Sequence, residues 1–441
     1  MSLSAFDVSV VTVNWNGKEH LKALLPSLTA LQVGEIILID NGSTDGSQEF
    51  VRAHYPEVRI IQNSSNLGFA QPHNAAAEIA RGRCLALINN DMRCHPDWIN
   101  AALARMEGST VCVGSRILDW EGQKIDFNGS SLQYLGYALQ RDLGKPWTSV
   151  GHPDRILFPC GGAMLIDREV FREVGGFDED YFAIYEDVDL GWRLWLAGYE
   201  VAYAPDSLAF HRGHSTFKSQ AGEKMRYLMH RNALLTVFKN YEEANFRRIF
   251  PLAVILAIKR AVLFSGVERD RFYLWSKSRE RLQRGDPTAP FQILDALNHL
   301  VAVDDVLDNL PNLLQRRSRV QAMRKRSDAE IFGLFIDPFR EIVEDPEYRR
   351  IERTHLEMQE LTKMFEPLTC PPAPAKRTSE LQDEIARLRR EIKALQWQGV
   401  QFALHPDTGV KPGARKFIQT WRDEGFRVAW RRFLEYVERG L

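Results

Sequence analysis

Apolar and polar positions along the first half of the chain fall into a repeating rhythm: a short apolar run, a polar turn, then apolar residues at helical spacing. Val8 to Val13 reads Val-Ser-Val-Val-Thr-Val and is broken by Asn14-Trp15-Asn16-Gly17. Leu21, Leu24, Leu25 and Leu28 follow in steps of three and four, so a strand, a turn and an amphipathic helix are predicted. Glu35 to Asp40 repeats the strand. It ends in Asp40-Asn41-Gly42-Ser43-Thr44-Asp45-Gly46-Ser47, where glycine permits a tight turn and Ser or Thr can cap a helix reaching His54. Val58 to Gln62 is a third strand, and Asn66-Leu67-Gly68-Phe69-Ala70 leads into a helix through Asn74 to Ala80. Cys84 to Asn89 is the fourth. Strands alternating with helices predict an α/β fold with a mostly parallel, doubly wound sheet.

The fourth strand stops at Asn89-Asn90-Asp91. Ligands of open α/β sheets sit beyond the carboxyl ends of the strands, so Asp91 is placed to hold a hard cation such as Mn2+ or Mg2+ through oxygen. A turn carboxylate capping the next helix is the other reading. Farther on, Val111 to Ser115 is a strand, and the turn Asp119-Trp120-Glu121-Gly122 leads into hairpin strands through Ile125 to Gly129. In Phe158-Pro159-Cys160-Gly161-Gly162-Ala163-Met164-Leu165-Ile166 two glycines open an apolar strand, which allows close approach to the backbone or a β-bulge. Glu186, Asp187 and Asp189 crowd the start of a helix stopped by Gly198, where the dipole and free N–H groups favour negative charge. A last strand, Glu200 to Ala204, and Pro205-Asp206 precede Phe210-His211-Arg212-Gly213-His214-Ser215.

The blocks Val-Ser-Val-Val-Thr-Val-Asn-Trp-Asn-Gly, Ile-Asp-Asn-Gly-Ser-Thr-Asp-Gly, Asn-Leu-Gly-Phe-Ala and Asn-Asn-Asp resemble, in order and spacing, the signature blocks of family 2 glycosyltransferases, particularly the rhamnosyltransferase-like branch. The resemblance covers roughly the first half of the chain. It implies the GT-A fold, a nucleotide-binding α/β sandwich that takes a nucleoside diphosphate sugar of the UDP or dTDP type. By this resemblance Asp40 reads the pyrimidine base, and Asn14, Asn16, Gly42, Ser43, Asn66, Gly68, Asn74 and Asn90 belong to the nucleotide-sugar site. Gly161 and Gly162 line the donor-sugar and acceptor pocket, and the Asp119–Gly122 turn lies over the donor sugar or is a plain exposed hairpin. Asp91 is the metal ligand. The family's acidic triplet usually reads Asp-x-Asp or Asp-Asp-Asp, whereas here it is Asn89-Asn90-Asp91. His211, as a neutral imidazole, is the candidate for the missing ligand. Arg212, His214 and Ser215 are read as partners of phosphate oxygens or as plainly solvated side chains. Transfer with inversion needs a carboxylate to take the proton of the attacking acceptor hydroxyl; the resemblance assigns this to Asp187, with Glu186 orienting acceptor or base. Asp189 is read as a helix-start carboxylate without chemistry.

Beyond His214 the pattern turns helical from Lys218 to Phe264, with a Tyr-x-x-x-Arg-Asn piece at Tyr227 to Asn232 that again resembles this branch. Residues 268–369 carry charges and no catalytic constellation. Cys370-Pro371-Pro372-Ala373-Pro374-Ala375 opens a stiff linker over 370–379. Leu381, Ile385, Leu388, Ile392 and Leu395 step by four and three, predicting a coiled coil over 380–398 that joins chains into a homo-oligomer or docks on its own domain. Residues 405–441 include Arg415, Lys416, Arg422, Arg427, Arg431 and Arg432 among aromatic and aliphatic residues, a basic amphipathic helix suited to an anionic membrane surface or a partner subunit. The expected layout is a GT-A domain over 1–215 and a helical extension over 216–369, followed by these three segments.

The totals exclude some classes. With 57 Lys plus Arg against 58 Asp plus Glu in 441 residues, the overall charge gives no reason to expect a nucleic-acid partner. Five scattered cysteines without CxxC spacing fit a reducing cytoplasm and argue against a structural zinc site. Met1 to Asp7 shows no secretory signal, and the apolar run Ile249 to Ile258 is about half the ~20 residues a bilayer demands. The first βα turn lacks the Gly-rich, Lys-bearing loop of nucleotidyl transfer. The expectation is a metal-assisted, inverting glycosyltransferase in the cytoplasm or on the inner face of its membrane. It would move a sugar, rhamnose by analogy with the branch, onto a bacterial surface glycan or lipid-linked glycan. The rival is a degenerate nucleotide-sugar-binding or scaffolding protein acting through its coiled coil. Asn89-Asn90 favours that rival and Glu186-Asp187 speaks against it.

Overall fold

The computed structural model describes residues 3–213, 221–265 and 289–365. Its α/β half begins with β1 (Val8–Asn14), α1 (Lys18–Thr29), β2 (Glu35–Asp40), α2 (Ser47–His54), β3 (Arg59–Gln62), α3 (Ala70–Ile79) and β4 (Cys84–Ile88). The four strands are parallel neighbours. Every residue of β2 and β4 is buried, as the continuous apolar runs require of a sheet covered on both faces. Leu21, Leu24, Leu25 and Leu28 form the buried stripe of α1. Asn14 and Asp40 stand side by side in the β1–β2 register, which aligns the two polar strand ends at one sheet edge.

The chain then adds β5 (Met92–Cys94), α4 (Trp98–Leu103), β6 (Thr110–Asp119), β7 (Ile125–Phe127), β8 (Ser130–Leu132), β9 (Ala138–Gln140), β10 (Ala163–Asp167), α5 (Arg168–Glu173), α6 (Glu186–Leu196) and β11 (Glu200–His211). The strand order is β3-β2-β1-β4-β10-β6-β11-β5, with β7 on β6 and β8 paired only with β9. This is the GT-A-type α/β sandwich.

Two strand boundaries differ from the sequence reading. The apolar run at Phe158 is extended only from Ala163, because the β4 pairing starts at Ala163 opposite Ile88. A side chain at Gly162 would meet Met92 Cε at 2.7 Å, so the two glycines form a tight turn ahead of the strand. β11 does not stop at Ala204. Pro205 and Asp206 are taken up in a register shift between Ala204 and Leu208, after which pairing with β6 and β5 resumes as far as His211. That continuation carries His211 to the edge where β4 ends.

The helical extension comprises α7 (Ala221–Asn240), α8 (Glu243–Phe264), α9 (Ala289–Asp308), α10 (Leu310–Ala322), α11 (Asp328–Ile331) and α12 (Pro346–Met358). It packs on α6, where Trp192 meets Tyr241 and Phe335 edge-on at centroid distances of 4.8 and 5.1 Å. Leu132 N–H donates to the Phe335 carbonyl at 2.8 Å, and Tyr134 N–H to that of Pro338 at 2.9 Å. Both halves thus belong to one compact unit, Met1–Pro371. His214, Ser215, the linker, the predicted coiled coil and the basic C-terminal helix lie outside the described residues. Among the described residues no helix is long and apolar enough to cross a membrane, and Cys84, Cys94, Cys112 and Cys160 are free thiols.

Candidate active site

The edge formed by β1, β2 and β4 is organised by amide and hydroxyl side chains. Asn14 Nδ2 donates to Asp40 Oδ1 and lies the same 3.2 Å from Ser43 Oγ, while its Oδ1 accepts from Asn90 Nδ2 at 2.9 Å. Asp40 Oδ2 accepts from Ser43 N–H at 2.9 Å and Gln48 Nε2 at 2.7 Å. Three of the roughly four acceptor positions of this carboxylate are therefore filled by the protein. Asp40 is fully buried, and it shapes the turn after β2. Asn16, at φ 51°, ties the first turn to the second: its N–H donates to Ser43 Oγ and its Oδ1 accepts from Thr44 N–H, both at 2.8 Å. Gly42 and Gly68 take φ of 76° and 80°. A Cβ on Gly68 would come within 2.4 Å of the Phe182 carbonyl oxygen, so only glycine fits there. Asn66 Oδ1 accepts from Gly68 N–H at 2.9 Å. Asn74 is placed differently from these residues: its amide brackets Phe177, accepting from its N–H at 2.9 Å and donating to its carbonyl at 2.8 Å.

At the end of β4 stands a second cluster. Asp91 Oδ2 is 3.1 Å from His211 Nε2, and His211 Nδ1 is 2.5 Å from Asp126 Oδ2 on β7. Asp91 Oδ1 is buried without a hydrogen-bond partner. Burial raises the pKa of Asp91, but the His211 hydrogen bond and charge outweigh it and the net shift is downward. His211 moves the other way. Burial lowers its pKa, yet hydrogen bonds donated to both carboxylates push it up to about 10. Arg212 N–H donates to the Asp91 carbonyl at 3.1 Å, and its guanidinium lies 4.8 Å from the centre of the Trp120 ring. The β6–β7 hairpin that bears Trp120 and Asp126 thereby joins the site.

The third group is the start of α6. Phe182, Ile184 and Tyr185 immediately before it all have positive φ, of 60°, 70° and 68°. Each such residue costs on the order of 1–3 kcal/mol, so the loop persists only because its surroundings hold it. Asn232, buried on α7, does so. Its Nδ2 reaches the carbonyls of Tyr181, Ala183 and Ile184 at 3.1, 2.9 and 2.7 Å. The loop delivers Asp187 against Gly161, whose N–H donates to Oδ2 at 2.7 Å, while Val188 N–H donates to Oδ1 at 2.8 Å. Burial raises the Asp187 pKa to about 6, with both backbone donors working against the rise. Glu186 is buried with Oε2 unpartnered, and burial together with the Asp187 charge raises its pKa well above the carboxylate range. Asp189 differs from both. It is completely buried and engaged by Arg193 Nε and Lys239 Nζ, each at 2.8 Å, and by Asn240 Nδ2 at 2.9 Å. Despite burial these cations hold its pKa down, so Asp189 is a structural anion.

Residues 9–175 match the model of the family described as glycosyl transferase family 2. The N-acetylglucosaminyl-diphospho-decaprenol L-rhamnosyltransferase of Mycobacterium tuberculosis (strain ATCC 25618 / H37Rv) is 30% identical over 240 residues, 48% of this chain and 78% of that protein. The chain belongs to glycosyl transferase family 2. The pre-mycofactocin glycosyltransferase of the same strain is 27% identical over 224 residues, covering 50% of this chain and 46% of that protein, so this chain spans less than half of that relative. Among solved structures, Staphylococcus aureus TarS 1–349 in complex with UDP-GlcNAc superposes with a TM-score of 0.43 at 16% identity, covering 76% of this chain and 94% of that one.

Within this glycosyltransferase, sequence reasoning missed three site residues. Asp126 lies in a stretch read only as a hairpin, and its one signal is a carboxylate between apolar neighbours in Ile125-Asp126-Phe127. Asn232 sits in the Tyr-x-x-x-Arg-Asn piece, whose contact with the α6 loop spans about fifty residues of sequence and has no local signature. Lys239 is a charged residue on a helix without an apolar stripe, and nothing local marks it as buried.

Proposed function

We propose that this glycosyltransferase works with inversion and a divalent cation, moving a sugar from a nucleoside diphosphate to a hydroxyl of a glycan or lipid-linked glycan. The observation that carries the reading is Asp187: a half-buried carboxylate with its pKa raised toward neutrality, fixed by two backbone N–H groups. Such a group takes a hydroxyl proton near pH 7, whereas a solvated carboxylate is too weak a base. Glu186, kept protonated by burial beside Asp187, leaves a single negative charge on the pair.

Asp91 and His211 fit a hard cation. Binding of Mn2+ or Mg2+ would draw on the unpartnered Asp91 oxygen and on His211 Nε2, whose proton, held at a pKa of about 10 by the two carboxylates, would be released on binding. Among the described residues no cluster of three or more ligands exists, so the donor diphosphate and water would complete the coordination. When bound, the cation would offset charge on the leaving diphosphate. Asp126 then orients His211 by accepting from Nδ1–H, which presents Nε2 toward Asp91. Asp126→Asn should weaken Mn2+ binding by about 10–100-fold, read by titration calorimetry or the electron paramagnetic resonance of free Mn2+. Unchanged Mn2+ affinity would remove Asp126 from this role.

The name of the M. tuberculosis relative supports rhamnose as donor sugar and a diphosphate-linked lipid as acceptor. The proposed layout keeps catalysis in 1–215, support in 216–369, self-association in 380–398 and contact with an anionic membrane in 405–441. Calorimetry with UDP and dTDP, each with and without Mn2+, on wild type and Asp91→Ala tests the donor and cation together. Metal-dependent binding of one nucleotide, abolished in Asp91→Ala, is expected. If neither nucleotide binds, the proposal fails and the non-catalytic scaffold becomes the better account.

A further inference from the structure

Trp120, in the turn of the β6–β7 hairpin, carries two guanidinium groups: those of Arg93 and Arg212 lie 5.0 and 4.8 Å from the centre of its ring. We propose that Trp120 is a positioning residue for the donor, holding the Arg212 guanidinium so that its N–H edge meets the diphosphate beside Asp91 and His211. This rests on the glycosyltransferase function proposed above.

The two arginines are used differently. Arg93 latches the turn: its Nη2 donates to the Trp120 carbonyl at 2.9 Å, and its guanidinium lies 4.0 Å from the centre of the Phe210 ring. Asp119 Oδ1 accepts from Gln123 and Lys124 N–H at 2.7 and 3.0 Å. A Cβ on Gly122 would stand 3.0 Å from Phe210 Cε1, so the turn is seated closely on β11. These contacts close the hairpin without Arg212.

Arg212 has its backbone fixed and its charge free. In the parallel β6–β11 register His211 stands opposite Asp119, so the next residues on each strand, Trp120 and Arg212, meet just beyond the pairing. Its N–H is held by the Asp91 carbonyl at 3.1 Å. Among the described residues no carboxylate or carbonyl accepts from its exposed guanidinium, which rests on the Trp120 ring. An ion pair would have used the N–H edge; an aromatic face fixes the plane and leaves that edge open, in the fork geometry that suits two phosphate oxygens. The pKa of Glu19 is lowered first by its Lys22 hydrogen bond, with the Arg212 charge among the further causes, so this charge acts across to the start of α1 and the Asn14–Gly17 turn before it.

The location selects the occupant. Arg212 directly follows the imidazole that faces Asp91 at the end of β4, and the amide-lined turns after β1 and β2 lie on the next strands of the sheet. An anion that reaches both the turns and a cation on Asp91 has a nucleoside at one end and a diphosphate at the other. Free phosphate has no use for the turns.

The test is calorimetry of the full chain with UDP and dTDP at a fixed Mn2+ concentration, on wild type, Trp120→Leu, Trp120→Tyr, Arg212→Gln and the Trp120→Leu/Arg212→Gln double variant. The nucleotide that wild type binds should lose about tenfold in affinity in Arg212→Gln and about fivefold in Trp120→Leu, the weights of a charged hydrogen bond and a cation–π contact. Trp120→Tyr retains an aromatic face and should keep most of the affinity. The double variant should bind no more weakly than Arg212→Gln, because the indole acts only through the guanidinium. A further fivefold loss in the double variant, or full affinity in Trp120→Leu, would overturn the assignment. Mn2+ affinity without nucleotide, read by the electron paramagnetic resonance of free Mn2+, should be unchanged in Trp120→Leu; a loss there would mean that the indole merely supports the hairpin bearing Asp126, and would overturn it too. Failure of the glycosyltransferase reading would appear separately, as absence of nucleotide binding by wild type.

Discussion

Asp187→Asn should lower kcat by about 10²–10⁴-fold while nucleotide binding stays as in wild type, because the substitution removes a proton acceptor and little else. The amide oxygen can still accept from one backbone donor, so the geometry set by Gly161 and Val188 is largely kept. The wild-type rate should fall on the acid side with a midpoint near pH 6, the value to which burial raises this carboxylate. Asp187→Asn should abolish that limb. The linkage has a definite sign. A folded-state pKa raised from 3.8 means the native chain holds the proton more tightly than the unfolded chain. The associated stability is full below about pH 4 and is lost as pH rises through 6. Catalytic ionisation therefore destabilises the fold, and Asp187→Asn should be more stable than wild type at pH 7 in a urea melt. A large loss of nucleotide affinity in the variant, or an unshifted acid limb, would show that Asp187 is not the base.

How much of this was legible in the sequence follows from how local each cause is. The strands β1, β2 and β4, the stripe of α1 and the polar strand ends could be read because apolar period and turn chemistry are local. Glu186 and Asp187 were found because they adjoin each other at a helix start. The resemblance assigns the base to Asp187 and an orienting part to Glu186; what has no local signature is the burial of Glu186 and the hydrogen bond of Asp187 with Gly161, 26 residues away. His211 stands out in the sequence, yet the pattern ends its strand seven residues too early, because Pro205 is usually a stop and only the β6 partner reveals the bulge. Asp126 escaped altogether. Its role exists only once β7 folds back on β6 and β11 passes beside them, a coincidence of three segments.

The same non-local logic makes Lys239→Met the substitution with the largest expected effect on stability. Lys239 is 1% exposed and bridges Asp189 on α6, at 2.8 Å, to Asp178 in the loop before it, at 2.5 Å; the ammonium also lies 4.6 Å from the centre of the Tyr181 ring. Methionine preserves the stem and its packing but withdraws the cation, leaving two buried carboxylates with Arg193 and Arg316 as their remaining cationic partners. Removing one member of such a buried set costs about 3–5 kcal/mol, because the uncompensated charge persists. Denaturant unfolding should show that loss. Adding Asp189→Asn to Lys239→Met should restore part of it, since the repulsion between Asp178 and Asp189 is then gone; simple additivity of the two substitutions would refute the network. Activity should suffer as well. Asp189 lies two residues beyond Asp187 on α6, and the Lys239 and Asn240 contacts bind that helix start to α7 while Asn232 grips the strained loop in front of it. A loosened α6 should depress kcat more than nucleotide affinity, because the base moves while the donor edge on β1, β2 and β4 does not. On this account the helical extension supplies no reacting group to the chemistry, yet it sets the aim of the one that does.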